Sequence, residues 1–323
     1  MNASLGIGGV LLTLTAAMLG AKAGQQRGLL GPETGRKAVH LAMGLTCLAF
    51  PWIFHDAWPV VLLALVAGIA LAAVRGLPGL RNRLGGVLGN VERASLGEFY
   101  FAASVALVWA WSHGDKFLYT APVAVLALAD SAGALVGRRY GTIFFGPLQG
   151  RKCIEGSLAV ALVAFACIGC LLAWRRPVAW EVAVPSAVLA ALVGALVEAV
   201  ARRGLDNLFL PVATFFVLHR GLTLEAAELA GRLGMLVLLV GLVAAGRPRW
   251  RELGAPVALV LMAYVFWAVA GWPWMLVPLS LVLACRPDPS LASGPMGVLP
   301  NRNRWARQET LGIAGSLLLW LAA

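Results

Sequence analysis

Asp130 interrupts the apolar run Leu126-Ala127-Leu128-Ala129-Asp130-Ser131-Ala132-Gly133-Ala134-Leu135-Val136-Gly137, which closes on Arg138-Arg139-Tyr140-Gly141. An ionised carboxylate near the middle of a membrane helix costs between ~3 and more than ~10 kcal/mol, so a chain keeps one there only against a compensating partner. The sequence offers two kinds of partner: a bound cation with its ligand, or an arginine on a neighbouring helix. The first makes this run a functional site, the second a structural clamp.

The membrane setting follows from composition. Of 323 residues, 60% are hydrophobic and 13% charged, with a mean hydropathy of +0.82, more apolar side chain than a soluble core of this size hides. The expected fold is therefore all-α, a polytopic helical membrane bundle. Apolar runs at 4–23, 39–54, 58–74, 97–112, 118–137, 157–174, 184–201, 207–219, 233–246, 255–271, 273–284 and 309–322 give about twelve transmembrane helices. The first run has no basic residue ahead of it and reads as a span rather than a cleaved leader. Three regions are expected: 1–34, a first helix and loop; 35–220, the region bearing the motifs; and 221–323, further helices without an assigned role.

Most of the 26 Lys and Arg fall on one side if the N-terminus lies outside; only Lys116, Arg175, Arg176, Arg220 and Arg232 then face outward. The positive-inside rule makes the arginine-bearing motifs cytoplasmic, and the net charge of +11 reflects topology and attraction to anionic lipid. No basic, aromatic-interleaved soluble segment supports nucleic-acid binding. Cys167 and Cys170 have the spacing of a metal pair but sit in an apolar helix with no second pair, so they read as packing residues.

On a helix, Asp130, Gly133, Ala134 and Gly137 share one face, and the two glycines admit a second backbone. Arg138 and Arg139 end that helix with fixed positive charge. A carboxylate, nearby arginines and glycine-rich backbone suit a metal-bound polyphosphate, with oxygen ligands for the cation and donors for the phosphates. The heptapeptides Gly31-Pro32-Glu33-Thr34-Gly35-Arg36-Lys37 and Gly146-Pro147-Leu148-Gln149-Gly150-Arg151-Lys152 share the pattern G-P-x-x-G-R-K, each expected to precede a helix whose free N–H groups suit phosphate. His40, one turn beyond Arg36, either accepts a substrate proton or caps a helix contact. Glu98, Glu155, Glu198 and Asp206-Asn207 recur on the same membrane side as Asp130; singly each fits a helix-terminal role, together they indicate a metal and nucleotide site.

Five ordered motifs carry a family resemblance: Arg36-Lys37-x-x-His40; Gly97-Glu98-x-Tyr100-Phe101; Ala129-Asp130-Ser131 through Gly137-Arg138-Arg139-Tyr140-Gly141; Gly150-Arg151-Lys152-x-x-Glu155-Gly156-Ser157; and Asp206-Asn207-Leu208-x-Leu210-Pro211. They resemble the CTP-dependent polyprenol kinases, the group that holds dolichol kinase and phytol kinase, over about half the chain. The resemblance implies transfer of the γ-phosphoryl group of CTP, with Mg²⁺ or another divalent cation, to a long isoprenoid alcohol within the membrane. It implies nucleotide and catalytic positions at Arg36, Lys37, Asp130, Gly137, Lys152 and Glu155, and taken with the residue pattern above it gives expected catalytic roles to Asp130, Lys37, His40 and Glu155. Nucleotide and phosphate contacts would come from Arg36, Lys37, Gly137, Arg138, Arg139, Arg151, Lys152, Gly156 and Ser157. Metal ligation would come from Asp130, Glu155, Asp206, Asn207 and Glu98.

Cys153 departs from the family, which commonly has Ser or Thr after the lysine. CDP-diacylglycerol synthase is a rival resemblance around the Asp-to-Gly helix and the Lys-x-x-Glu-Gly element, but Gly150-Arg151 replaces its Ser-Pro. A lipid or ion transporter is the rival of another class, since buried acids and many helices suit that too; the charges here cluster at one face rather than at the midplane. The partners expected are the alcohol, a nucleoside triphosphate and membrane lipid, and the sequence does not give an oligomeric state.

Overall fold

A computed structural model describes residues 2–77, 96–145, 151–175, 178–245, 254–270 and 272–275. Among them the chain runs α1 (Ala3–Gln26), α2 (Pro32–Leu48), α3 (Phe50–Ile53), α4 (Trp58–Gly76), α5 (Gly97–Ser112) and α6 (Lys116–Ala124). A π-helical turn (Val125–Ala129) joins α6 to α7 (Asp130–Tyr140), and a two-stranded hairpin follows, β1 (Phe144–Phe145) and β2 (Lys152–Cys153). Then come α8 (Ile154–Arg175), α9 (Trp180–Val200), α10 (Asp206–Gly221), α11 (Ala226–Ala245), α12 (Gly254–Ala270) and a 3₁₀ turn (Trp272–Met275).

Among the described residues five helices are long and apolar enough to cross a membrane: Ala3–Gln26, Lys116–Tyr140, Ile154–Trp174, Trp180–Val200 and Ala226–Ala245. Trp58–Val74 and Pro256–Ala268 are shorter apolar helices. The helical bundle expected from the sequence is thus present, whereas a count of about twelve spans is not reached among the described residues. The run 309–322 and residues 276–284 of the run 273–284 lie outside them, and the run 39–54 divides between α2 and α3.

The helix Lys116–Tyr140 is the axis of the fold. Of its apolar window 72% is buried, against 11% for α1, which faces outward over most of its length. Tyr119, Leu126, Phe101, Ile168, Leu189 and Leu210 are fully buried around it. Pro122 lies inside this helix and brings no backbone N–H, and three residues later the chain widens into the π turn that leads directly to Asp130. Such turns recur at functional positions because they redirect the next side chain.

Close approach fixes the helices around this axis. A carbon added at Gly44 of α2 would lie 3.0 Å from the Cα of Ala127, so only glycine lets α2 reach the π turn. Antiparallel to α7, α8 seats Gly156 against Gly133: a carbon on Gly133 would meet the carbonyl of Gly156 at 3.1 Å, and one on Gly156 the carbonyl of Gly133 at 2.9 Å.

Alternating helix direction sorts the two ends of the bundle. One end carries the exposed Trp52, Trp58, Trp174 and Trp180, with the Lys116 ammonium 5.8 Å from the Trp52 ring centre, an interfacial aromatic belt. The other end collects the starts of α2, α5, α8 and α10 and the ends of α7 and α9. The described residues of all five sequence motifs therefore meet at that end.

A Gly133→Leu substitution is expected to destabilise the detergent-solubilised protein by about 1–3 kcal/mol through overpacking. Thermal unfolding reads this, with Gly169→Leu, where an added carbon meets nothing within 4 Å, leaving the Tm unchanged.

Candidate active site

Asp130 is buried, and its compensation comes from within the chain: its Oδ2 accepts from the Nζ of Lys37 at 2.6 Å and lies 3.2 Å from His40 Nε2. A lysine of α2 thus holds the acid rather than the arginine weighed as a structural clamp. Burial of an ion pair in apolar surroundings tolerates no missing partner, because the remaining charge would stand alone. His40 Nε2 also lies 3.3 Å from the carbonyl of Leu126, which the π turn presents. Both of these partners are acceptors, so Nε2 carries the hydrogen and Nδ1 is the nitrogen left to accept one. Phe101 of α5 packs edge-to-face on the imidazole, with centroids 5.1 Å apart, and fixes the ring from its other side.

The G-P-x-x-G-R-K expectation changes here. Pro32 stands in the first turn of α2, so the helix begins at Pro32, and Arg36 and Lys37 occupy its second turn instead of a preceding loop. In the second copy residues 146–150 lie outside the described residues, and Lys152 belongs to β2 with the helix starting at Ile154. Arg36-Lys37 and Arg151-Lys152 therefore lie in different local structures, the first pair inside a helix and the second ahead of one.

Lys152 heads a second cluster. Its ammonium bonds Glu198 of α9 and lies 3.2 Å from Asp206 Oδ2 of α10. The turn between α9 and α10 brings those two acids together, with Arg203 and Gly204 in left-handed conformations (φ 56° and 86°). Burial opposes the charge on Lys152, but the Glu198 and Asp206 carboxylates outweigh it and raise the ammonium above the ordinary lysine range, and Asp130 lies within electrostatic reach. Ser157 Oγ donates to Glu198 Oε2 at 3.4 Å. Asn207 donates from Nδ2 to the carbonyl of Gly97 at 2.9 Å and so ties α10 to the start of α5.

Glu155 is engaged elsewhere. Its Oε1 accepts from the backbone N–H of Thr142 at 2.9 Å, from the N–H of Ile143 at 3.2 Å and from the Thr142 hydroxyl, which fastens the hairpin to α8. It is not brought to Asp130. Gly137 and Gly156 serve the contact between α7 and α8, where Gly156 also approaches the Cys153 sulfur. Arg138, Arg139 and Arg151 are exposed at the same end, and Arg36 and Glu98 border a recess next to His40. Glu198, read from the sequence only as one acid among several, proves the main partner of Lys152; the signal available was its place one helix end before Asp206.

No group of three or more His, Cys, Asp or Glu among the described residues is arranged to hold a metal ion by itself. Mg²⁺, however, ordinarily takes one or two carboxylates and completes its shell with water and phosphate oxygens. The convergent Glu198 and Asp206 fit an ion that arrives with a polyphosphate.

Apolar helices long enough to cross a membrane, with two linked charge clusters at one end, define a helical membrane protein with a polar site at one end of its bundle. Over 211 residues the chain is 29% identical to a phytol kinase from Synechocystis sp., a match covering 64% of this chain and 88% of that protein. This similarity supports the phytol- and polyprenol-kinase-like family to which the five motifs pointed. No family profile and no solved structure matches the chain.

Replacing Lys37 with Met should lower stability by about 3–5 kcal/mol, since it strands a buried carboxylate. The double variant Lys37→Met/Asp130→Asn should recover most of that loss, measured as Tm in one detergent.

Proposed function

We propose that this protein is a membrane-embedded kinase that transfers the γ-phosphoryl group of CTP to an isoprenoid alcohol of the phytol or polyprenol type. The observation that supports this reading best is the meeting of Lys37–Asp130–His40 with Lys152–Glu198–Asp206 at one end of the bundle, in a chain similar to a phytol kinase. On this reading that end faces the cytoplasm, where nucleotide is available, an orientation that the excess of Lys and Arg expected on that side supports.

In the reaction the alcohol oxygen attacks the γ-phosphorus, the bond from that phosphorus to the β-phosphate oxygen breaks, and the nucleoside diphosphate leaves. His40 accepts the hydroxyl proton at Nδ1 while Asp130 stabilises the resulting imidazolium through Nε2. Lys37 keeps Asp130 ionised and in place. Lys152 and Arg36, with the exposed Arg138, Arg139 and Arg151, supply positive charge to the phosphates, which is where phosphoryl transfer gains most from a protein. Glu198 and Asp206 are the residues that would hold a divalent cation, which supplies charge neutralisation on the phosphates. Glu155 acts by fixing the hairpin that carries Lys152.

The test is detergent-solubilised protein with a panel of prenols and γ-labelled CTP or ATP. Labelled lipid monophosphate is expected, more with CTP. Asp130→Asn should lower kcat by about 10²-fold or more, and Lys152→Ala should raise the KM for nucleotide. A CDP-lipid product, with the label released as pyrophosphate, would make the protein a cytidylyltransferase, and lipid or ion flux in liposomes without nucleotide turnover would make it a transporter.

A further inference from the structure

Between α2, α5 and α10 lies a narrow recess. Its walls divide by chemistry. His40, Asn207, Arg36 and Glu98 supply polar atoms, and Val39, Met43 and Phe101 supply an apolar wall. Val39 and Phe101 are buried, and Phe101 is held edge-on to the same imidazole that contacts Asp130. His40 is therefore common to the recess and to the buried ion pair.

We infer that this recess binds the head of the acceptor, with Val39, Met43 and Phe101 as specificity-determining residues that recognise the branched first isoprene unit while the hydroxyl lies against His40. The inference rests on the kinase reading above and adds to it the place and the limit of alcohol recognition. A phosphate-binding site has no use for a wall of valine, methionine and phenylalanine, and a purely apolar lipid groove has no use for a histidine joined to a buried carboxylate. An amphipathic molecule with one polar end satisfies both walls. The recess is narrow and bounded by three helices, so it meets only the head of such an alcohol, and the remainder of the tail lies in lipid and contributes equally whatever its length. The protein thus selects the branching next to the hydroxyl and not the length of the chain.

Two measurements test this on the full-length protein in detergent or nanodiscs. Wild-type kcat/KM for isoprenoid alcohols of fifteen, twenty and more carbons is expected to agree within about tenfold, while a straight-chain alcohol of twenty carbons falls at least about tenfold lower, the discrimination that one or two methyl groups give in an apolar pocket. Val39→Phe and Met43→Phe, which fill the recess, should raise the KM for the isoprenoid alcohol about tenfold and leave the KM for nucleotide unchanged. Met43→Ala, which only removes atoms, should narrow the gap between branched and straight alcohols and serves if the larger side chains prevent folding. A steep dependence on chain length, equal use of straight and branched alcohols, or a rise in nucleotide KM alone overturns the inference. Failure of the wild type to phosphorylate any prenol overturns the kinase reading instead.

Discussion

The ion pair between Lys37 and Asp130 is the constraint around which the rest is arranged. In an apolar interior neither charge is tolerable alone, so α2 must pass close to the helix Lys116–Tyr140 and at one height only. Gly44 makes that approach sterically open against Ala127, and the π turn after Pro122 sets the residues just before Asp130. Once α2 is placed, His40 falls between the carboxylate and Phe101, which draws α5 into the same site.

The second cluster obeys the same electrostatics with more water nearby. Lys152 stands at the start of α8 because the hairpin pairing of Phe145 with Lys152 returns the chain there, and Glu155 secures that return through Thr142 and Ile143. Two acids converge on one ammonium, an arrangement that keeps carboxylates close together without their mutual repulsion dominating. On the proposed reading, a cation and a polyphosphate exchange for parts of that network, where charge of both signs is already assembled. This suits phosphoryl transfer, where positioning and neutralisation do most of the catalysis.

How much was legible beforehand depended on whether the relevant physics was local. Asp130 announced itself, because a lone acid in an apolar run violates the transfer energetics that govern every other residue there. The Arg36, Lys37 and His40 group was legible from helical spacing. The partner of Asp130 was not: Lys37 lies 93 residues away in sequence, and the local pattern pointed first to a bound cation and, as the structural alternative, to an arginine. The contacts of Glu155 were hidden for a similar reason, since its backbone partners Thr142 and Ile143 come beside it only when the hairpin closes. Glu198 carried no local signal that set it above the other acids.

Composition and periodicity by themselves determined a helical membrane bundle, the helix through Asp130 and the polarity of its two ends, because burial of backbone and side chain in lipid permits few alternatives. Only the tertiary structure decided which charges pair, that Pro32 begins α2 ahead of Arg36 and Lys37, and that Glu198 and Asp206 share Lys152. Ion pairing is chosen by distance among several chemically equivalent candidates, and distance between remote segments exists only after the helices have packed.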